Sequence, residues 1–232
     1  MLLLIPLISV ATSPRVLCLH GGGQTADNFK NSLDGTGLAA EYELVFVQAS
    51  NPGSVWLVED GQGKGSSRDD ADATSLALIQ AAQPFAGIVA YSQGTAMAAA
   101  YLSSANSTAV QWMMAFSPYL PSTYPAIMQR IKANTPLKAN RVYAYSGCQD
   151  GVISPALSRD FAAAFSDAVL DLDADGEHLV THGAVERGLQ YIETGTEPAV
   201  LAECPGTSGT STTWWPWAAA GAVVLALLLG FM

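Results

Sequence analysis

Six short runs rich in β-branched and aromatic residues, each bounded by turn formers, constrain this chain more than any other feature: "RVLCLH" (15–20), "ELVFVQA" (43–49), "GIVAYS" (87–92), "QWMMAFS" (111–117), "RVYAYSG" (141–147) and "AVLDLDA" (168–174). Helical patterns separate them at 69–82, 93–103, 154–166 and 183–194; Leu157, Phe161 and Phe165 recur every fourth position in the third, and Val185, Leu189 and Ile192 share a face in the last. Strands alternating with helices imply crossover connections, and runs that are apolar almost throughout suit strands buried on both faces. The pattern predicts an α/β fold, a mostly parallel twisted sheet with helices on both faces. A chain of 232 residues suffices for one such domain with a large core. Residues 50–65, "SNPGSVWLVEDGQGKG", have no clean period and read as a long loop after the second strand.

The two ends differ from this middle. Residues 214–232, "WWPWAAAGAVVLALLLGFM", carry no charge; as a helix they would reach roughly 28 Å, close to the hydrocarbon thickness of a bilayer. Trp214, Trp215 and Trp217 sit at one edge of the run, where amphipathic rings favour the membrane interface. A transmembrane or anchor-signal segment is therefore expected at 214–232, joined by a polar linker, 195–213, to a folded domain at 14–194. The small residues and polar spacer of "CPGTSGTSTT" suit a lipid-anchor attachment signal, and a plain tail anchor is the alternative. The apolar start "MLLLIPLISVATS" (1–13) reads as a short signal segment, although no Lys or Arg precedes it. Glu193, Glu197 and Glu203 flank the hydrophobic run without nearby basic residues, which favours a lumenal or extracellular face for the domain; the "NST" sequon at Asn106 is compatible with that side.

With 20 acidic against 10 basic residues the formal charge is -10, so the chain lacks the cationic surface that nucleic acid requires. The three cysteines, Cys18, Cys148 and Cys204, are odd in number and unrelated in position. They suggest neither a disulfide framework nor a zinc site, and Cys148 is expected to be a packing residue.

In open α/β sheets ligands bind at the carboxyl ends of the strands, so the polar residues just past each strand are the informative ones. After the first strand comes "HGGG" (20–23), after the third Ser92, after the fifth Asp150 in "SGCQDGV", and after the sixth His178 in "DADGEHLVTH". A serine hydroxyl is a weak nucleophile that needs a histidine base, and the histidine needs a carboxylate to fix its tautomer. The chain order Ser, Asp, His is that of the α/β-hydrolases. A nucleophile on a sharp strand-to-helix turn needs small residues two before and two after it; here these are Ala90, where glycine is usual, and Gly94. The backbone N–H groups of Gln93 and Gly22 would then face a developing oxyanion.

Each residue also has a plainer reading. Ser92 could be a helix N-cap and Asp150 a turn former in "CQDG". His182 competes with His178 as base; His178 is preferred because it lies nearer the strand end and His182 opens the last helix. His20 reads as a hydrogen-bonded structural residue.

"RVLCLHGGGQTADNFK", "ELVFVQA" with "SVWLVED", "PFAGIVAYSQGTAMAA", "YSGCQDGVISP" and "DGEHLVTHGAVERGLQYIE", in this order over residues 15–193, resemble the FSH family of serine hydrolases, small lidless α/β-hydrolases related to carboxylesterases and acyl thioesterases. The resemblance implies Ser92 as nucleophile, Asp150 as acid and His178 as base, and it suggests that Trp56 lies near the acyl pocket. Ala90, the glycine-broken "LDGTGLAA" and the two hydrophobic ends depart from the usual family member.

The expected activity is hydrolysis of a small-molecule acyl ester or thioester through an acyl-enzyme, without cofactor or metal, by a membrane-associated protein. Acyl transfer by the same three residues and a catalytically dead hydrolase fold that binds at a membrane are the alternatives.

Overall fold

The structure, a computed structural model, describes residues 13–60, 64–65, 71–199, 201 and 203–205. The expected N-terminal signal segment, apart from Ser13, and the expected anchor at 214–232 lie outside the described residues. Among the described residues no helix is long and apolar enough to cross a membrane.

All six expected strands form, as β1 (Arg15–Leu19), β2 (Glu43–Val47), β5 (Gly87–Tyr91), β6 (Val110–Phe116), β7 (Ala139–Gly147) and β8 (Ala168–Asp173). They build one sheet in the order β2-β1-β5-β6-β7-β8, and every neighbouring pair is parallel. Within the long loop after β2, β3 (Glu59–Asp60) and β4 (Lys64–Gly65) pair as a small antiparallel hairpin.

The helices are α1 (Ala26–Leu33), α2 (Leu38–Glu41), α3 (Ala73–Ala81), α4 (Gln93–Leu102), α5 (Pro125–Ala133), α6 (Pro155–Ala162) and α7 (His182–Thr194). Of these, α3, α4, α6 and α7 fall where the hydrophobic pattern predicts them. Helix α5, which buries Ile127 and Ile131 four residues apart, was not among the expected helices. Helix α1 is fixed at its start by a reciprocal cap between Thr25 and Asn28.

Side chains alternate across the sheet as the pleat requires. Leu17 and Leu19 enter a core shared with Ala90, Met97, Ile127 and Phe161 on one face. Val16 and Cys18 enter the other, with Phe29, Leu38, Val185 and Ile192. One row of the sheet, Leu19, Ala90, Ala115 and Ala144 in register, is short across its three central strands. Ala96, Ala98, Ala99 and Ala100 of α4 are fully buried in the core on the side that holds Ala90 and Ala115. Small side chains on both partners let this helix lie close to the sheet, with its first turn directly above the end of β5.

The cysteines correct the reading from sequence. Cys148 and Cys204 form a disulfide, with Cα atoms 5.5 Å apart and 56 residues between them in sequence. The odd count concealed the pair because the third, Cys18, is a buried core thiol. The chain past α7 is therefore not simply a linker: residue 204 is buried and bonded to the loop after β7.

Candidate active site

Ser92 sits on the turn between β5 and α4 with φ 50° and ψ -121°. A non-glycine residue adopts such a conformation only where its surroundings over-determine it. Here the Ser92 N–H donates to the Phe116 carbonyl at 2.9 Å, while the Ser92 carbonyl accepts from the Thr95 N–H at 2.9 Å and the Thr95 hydroxyl at 2.6 Å. Gly94 makes the turn sterically feasible: a Cβ there would lie 2.3 Å from the Leu19 carbonyl oxygen and 2.7 Å from that of His20. The Ser92 side chain makes no capping bond to α4, which leaves its hydroxyl free of the plainer role. Instead Oγ lies 3.1 Å from His178 Nε2.

His178 Nδ1 is 2.8 Å from Asp150 Oδ2. A carboxylate only accepts, so Nδ1–H donates to it and Nε2 is left as the acceptor for the serine hydroxyl. The other carboxylate oxygen of Asp150 accepts from the backbone N–H groups of Val152 and Ile153, each at 2.8 Å. Burial pushes the Asp150 carboxyl up, but the hydrogen bonds from His178, Ile153 and Val152 and the charge of His178 together hold it below the usual carboxylate range.

A depressed folded-state value gives stability that is present above the unfolded value and lost as pH falls through the folded one. The melting temperature of Asp150→Asn is therefore expected to lie below that of the wild type at pH 7, with the gap narrowing as both are acidified below about pH 4. Thermal melts of the two proteins across pH check this.

The loops bearing Asp150 and His178 are locked together. Cys148 N–H donates to the Asp173 carbonyl at 2.7 Å and Gln149 N–H to that of Gly176 at 2.8 Å. The backbones approach so closely that a Cβ on Gly147 would lie 2.2 Å from the Gly176 oxygen. From the serine side, the Tyr91 hydroxyl donates to the His178 carbonyl at 2.8 Å, with the two rings 5.1 Å apart. Burial, then the Asp150 charge, pushes the Tyr91 phenol up, so it remains a donor. Nothing in the sequence alone marked Tyr91 for this role. His182 is not part of this group: it is exposed at the start of α7, and its ring lies beside Gly35.

The "HGGG" segment meets Ser92 from the end of β1. His20 is fully buried; its Nδ1–H donates to the Gly21 carbonyl at 2.7 Å and its Nε2 accepts from the Ala49 N–H at 3.1 Å. Burial lowers its basicity more than the Gly21 bond raises it, which keeps the ring neutral and structural.

Trp56, expected near the acyl pocket, is buried with no accessible surface. Its indole N–H donates to the His20 carbonyl at 2.7 Å and its backbone N–H to Gln93 Oε1 at 2.7 Å. Gln93 also donates from Nε2 to the Leu57 carbonyl at 3.1 Å. The tryptophan thus braces the glycine segment and the first residue of α4 against each other. A Cβ on Gly22 would lie 3.3 Å from Gln93 Oε1, so the two residues expected to bind an oxyanion are neighbours. Among the described residues neither backbone N–H has an acceptor.

Known proteins resemble this arrangement at several levels. The family model described as Serine hydrolase (FSH1) matches residues 48–186. Esterase FUS5 of Gibberella moniliformis (strain M3125 / FGSC 7600) is 27% identical over 135 residues, 48% of this chain. That match spans 58% of the relative's own length. Among solved structures, a Bacillus cereus carboxylesterase superposes with a TM-score of 0.59 at 16% identity, covering 79% of this chain and 89% of that one. Acyl-protein thioesterase 2 of Zea mays gives 0.55 at 16% identity, covering 78% of this chain and 92% of that one. At such identities the solved structures speak for the α/β-hydrolase fold alone, whereas the family model covers more than half of the chain. By that match the chain belongs to the FSH1 family of serine hydrolases.

Proposed function

We propose that this protein hydrolyses carboxylic esters or thioesters through an acyl-enzyme on Ser92, with His178 as base and Asp150 as the orienting acid. The observation that carries this reading is the continuous hydrogen-bonded line from Ser92 Oγ to His178 Nε2, 3.1 Å, and from His178 Nδ1 to Asp150, 2.8 Å.

As Oγ bonds to the acyl carbon its proton passes to Nε2, and the carbonyl π pair moves to the oxygen, facing the N–H groups of Gly22 and Gln93. Collapse of the tetrahedral species breaks the bond to the alcohol or thiol, which leaves with the proton held on His178. Water then repeats the sequence, giving its proton to Nε2 and restoring Ser92 as the acid departs. Asp150 keeps its charge throughout and stabilises the transient imidazolium.

The reading extends to location: a membrane-associated enzyme, held through residues 214–232, with its domain on the lumenal or extracellular side. The uncharged C-terminal run supports the first part. A disulfide, which persists in oxidising compartments, supports the second.

Mixing the protein with a p-nitrophenyl ester tests the covalent route. The first equivalent of nitrophenol is expected to appear faster than later ones, and acid-quenched protein should carry one acyl group by intact mass. Steady release from the first turnover with no acylated protein would contradict it.

A further inference from the structure

The disulfide sits where it decides which way the catalytic edge faces. Helix α7 starts beside the catalytic loops and runs to the opposite edge of the sheet, where Arg141, near the start of β7, donates to the Ile192 carbonyl at 2.8 Å. A Cβ on Gly195 would lie 3.4 Å from the same guanidinium. Cys148, by contrast, follows the end of β7, two residues before Asp150. At about 3.3 Å per strand residue, the edges marked by Arg141 and Cys148 are roughly 23 Å apart. Residues 196–204 can span at most about 30 Å, and Cys204, bonded to Cys148, stands at the catalytic edge while Gly195 stands at the far one. Without that bond, everything after residue 195 would leave from the far edge.

The apolar surface is placed consistently with this. The large hydrophobic side chains exposed among the described residues are Val58, Val152, Leu179 and Leu201, the most open being Leu179 at 53%. Leu179 follows His178, Val152 donates its N–H to Asp150, and Val58 follows Leu57, whose carbonyl is bonded to Gln93. Leu201 lies three residues before Cys204. The sequon at Asn106 is exposed between the end of α4 and the start of β6, on the opposite edge.

We infer that the Cys148–Cys204 bond turns the catalytic rim onto a lipid bilayer, so that the acyl ester or thioester is taken from the membrane surface. This rests on the hydrolase reading above. Residues 205–213 separate the disulfide from the uncharged run 214–232, a tether of at most about 30 Å. An anchor on so short a tether brings the rim bearing Val58, Val152 and Leu179 to the bilayer and raises its effective concentration there. The charge of -10, with Asp175 and Glu177 exposed beside His178, selects a neutral or zwitterionic surface over an anionic one.

The test uses the full chain in phosphatidylcholine vesicles and two substrates, a long-chain fluorogenic ester dissolved in the bilayer and a water-soluble short-chain ester. Cys204→Ser is expected to lower the bilayer rate at least about 10-fold, the scale of a lost tether, while the soluble rate, which reports intact folding, changes less than about two-fold. A second variant keeps the disulfide and inserts roughly 30 Gly and Ser residues after Gly206, adding about 30 Å of flexible reach; it should lower the ratio of bilayer to soluble rate in the same direction. Leu179→Glu should lower it as well. Unchanged ratios in all three variants, with Ser92-dependent hydrolysis of the soluble ester intact, would overturn the orientation alone. Absence of Ser92-dependent hydrolysis of the soluble ester would remove the hydrolase reading and this inference with it.

Discussion

Ser92→Ala and His178→Ala are each expected to lower kcat/KM on a soluble aryl ester by at least about 1,000-fold, and the double variant to be little worse than either single one. In the proposed mechanism Ser92, His178 and Asp150 act as one unit. Without the hydroxyl no acyl-enzyme forms, and without the imidazole nothing takes the proton that Oγ must lose. His182→Ala supplies the contrast and should change the rate by less than about two-fold, the scale of an exposed substitution. Its ring lies beside Gly35 rather than Ser92, whereas His178 is in hydrogen-bonding distance of both Ser92 and Asp150. Steady-state kinetics on the four proteins check this, and a large loss in His182→Ala with retention in His178→Ala would reverse the assignment.

Gly94→Ala should be a severely damaging small change beside Ser92. The added methyl meets backbone oxygens of β1 and His20 at 2.3 and 2.7 Å, and a central strand has no rotamer by which to yield. Overpacking of this kind costs about 3 kcal/mol, which for a domain of this size lowers Tm by roughly 6–12 °C. The same strain moves Ser92 and the "HGGG" segment relative to each other, and displacement on the order of 1 Å costs about 100-fold in rate.

Ala90→Gly, which restores the usual residue on the other side of the turn, should do little to the rate and lower stability by only about 1 kcal/mol. Ala90 pairs in the sheet with Ala115 and Leu19, and its methyl already fits. Thermal melts with parallel rate measurements separate the two substitutions; a tolerated Gly94→Ala would mean that helix α4 does not press on β1 as described.

The strands were legible because parallel, doubly covered strands must be apolar along their whole length, as "GIVAY" is. The site was legible for a related reason: the polar residues that close these runs lie at the carboxyl edge, and the fold gathers them there. What escaped the sequence depends on contacts between distant segments. The partnership of Cys148 with Cys204 requires the chain to retrace the full height of the sheet after α7. The bond from Tyr91 to the His178 carbonyl joins residues 87 apart. The bond from the Trp56 indole to the His20 carbonyl, which supports the glycine segment from inside the protein, joins residues 36 apart.

Treatment with a fluorophosphonate probe, followed by mapping of the modified peptide, tests the central claim most directly. A single adduct on Ser92, abolished in His178→Ala and retained in His182→Ala, is the predicted result. Modification of another serine, or an adduct that survives Ser92→Ala, would contradict the account.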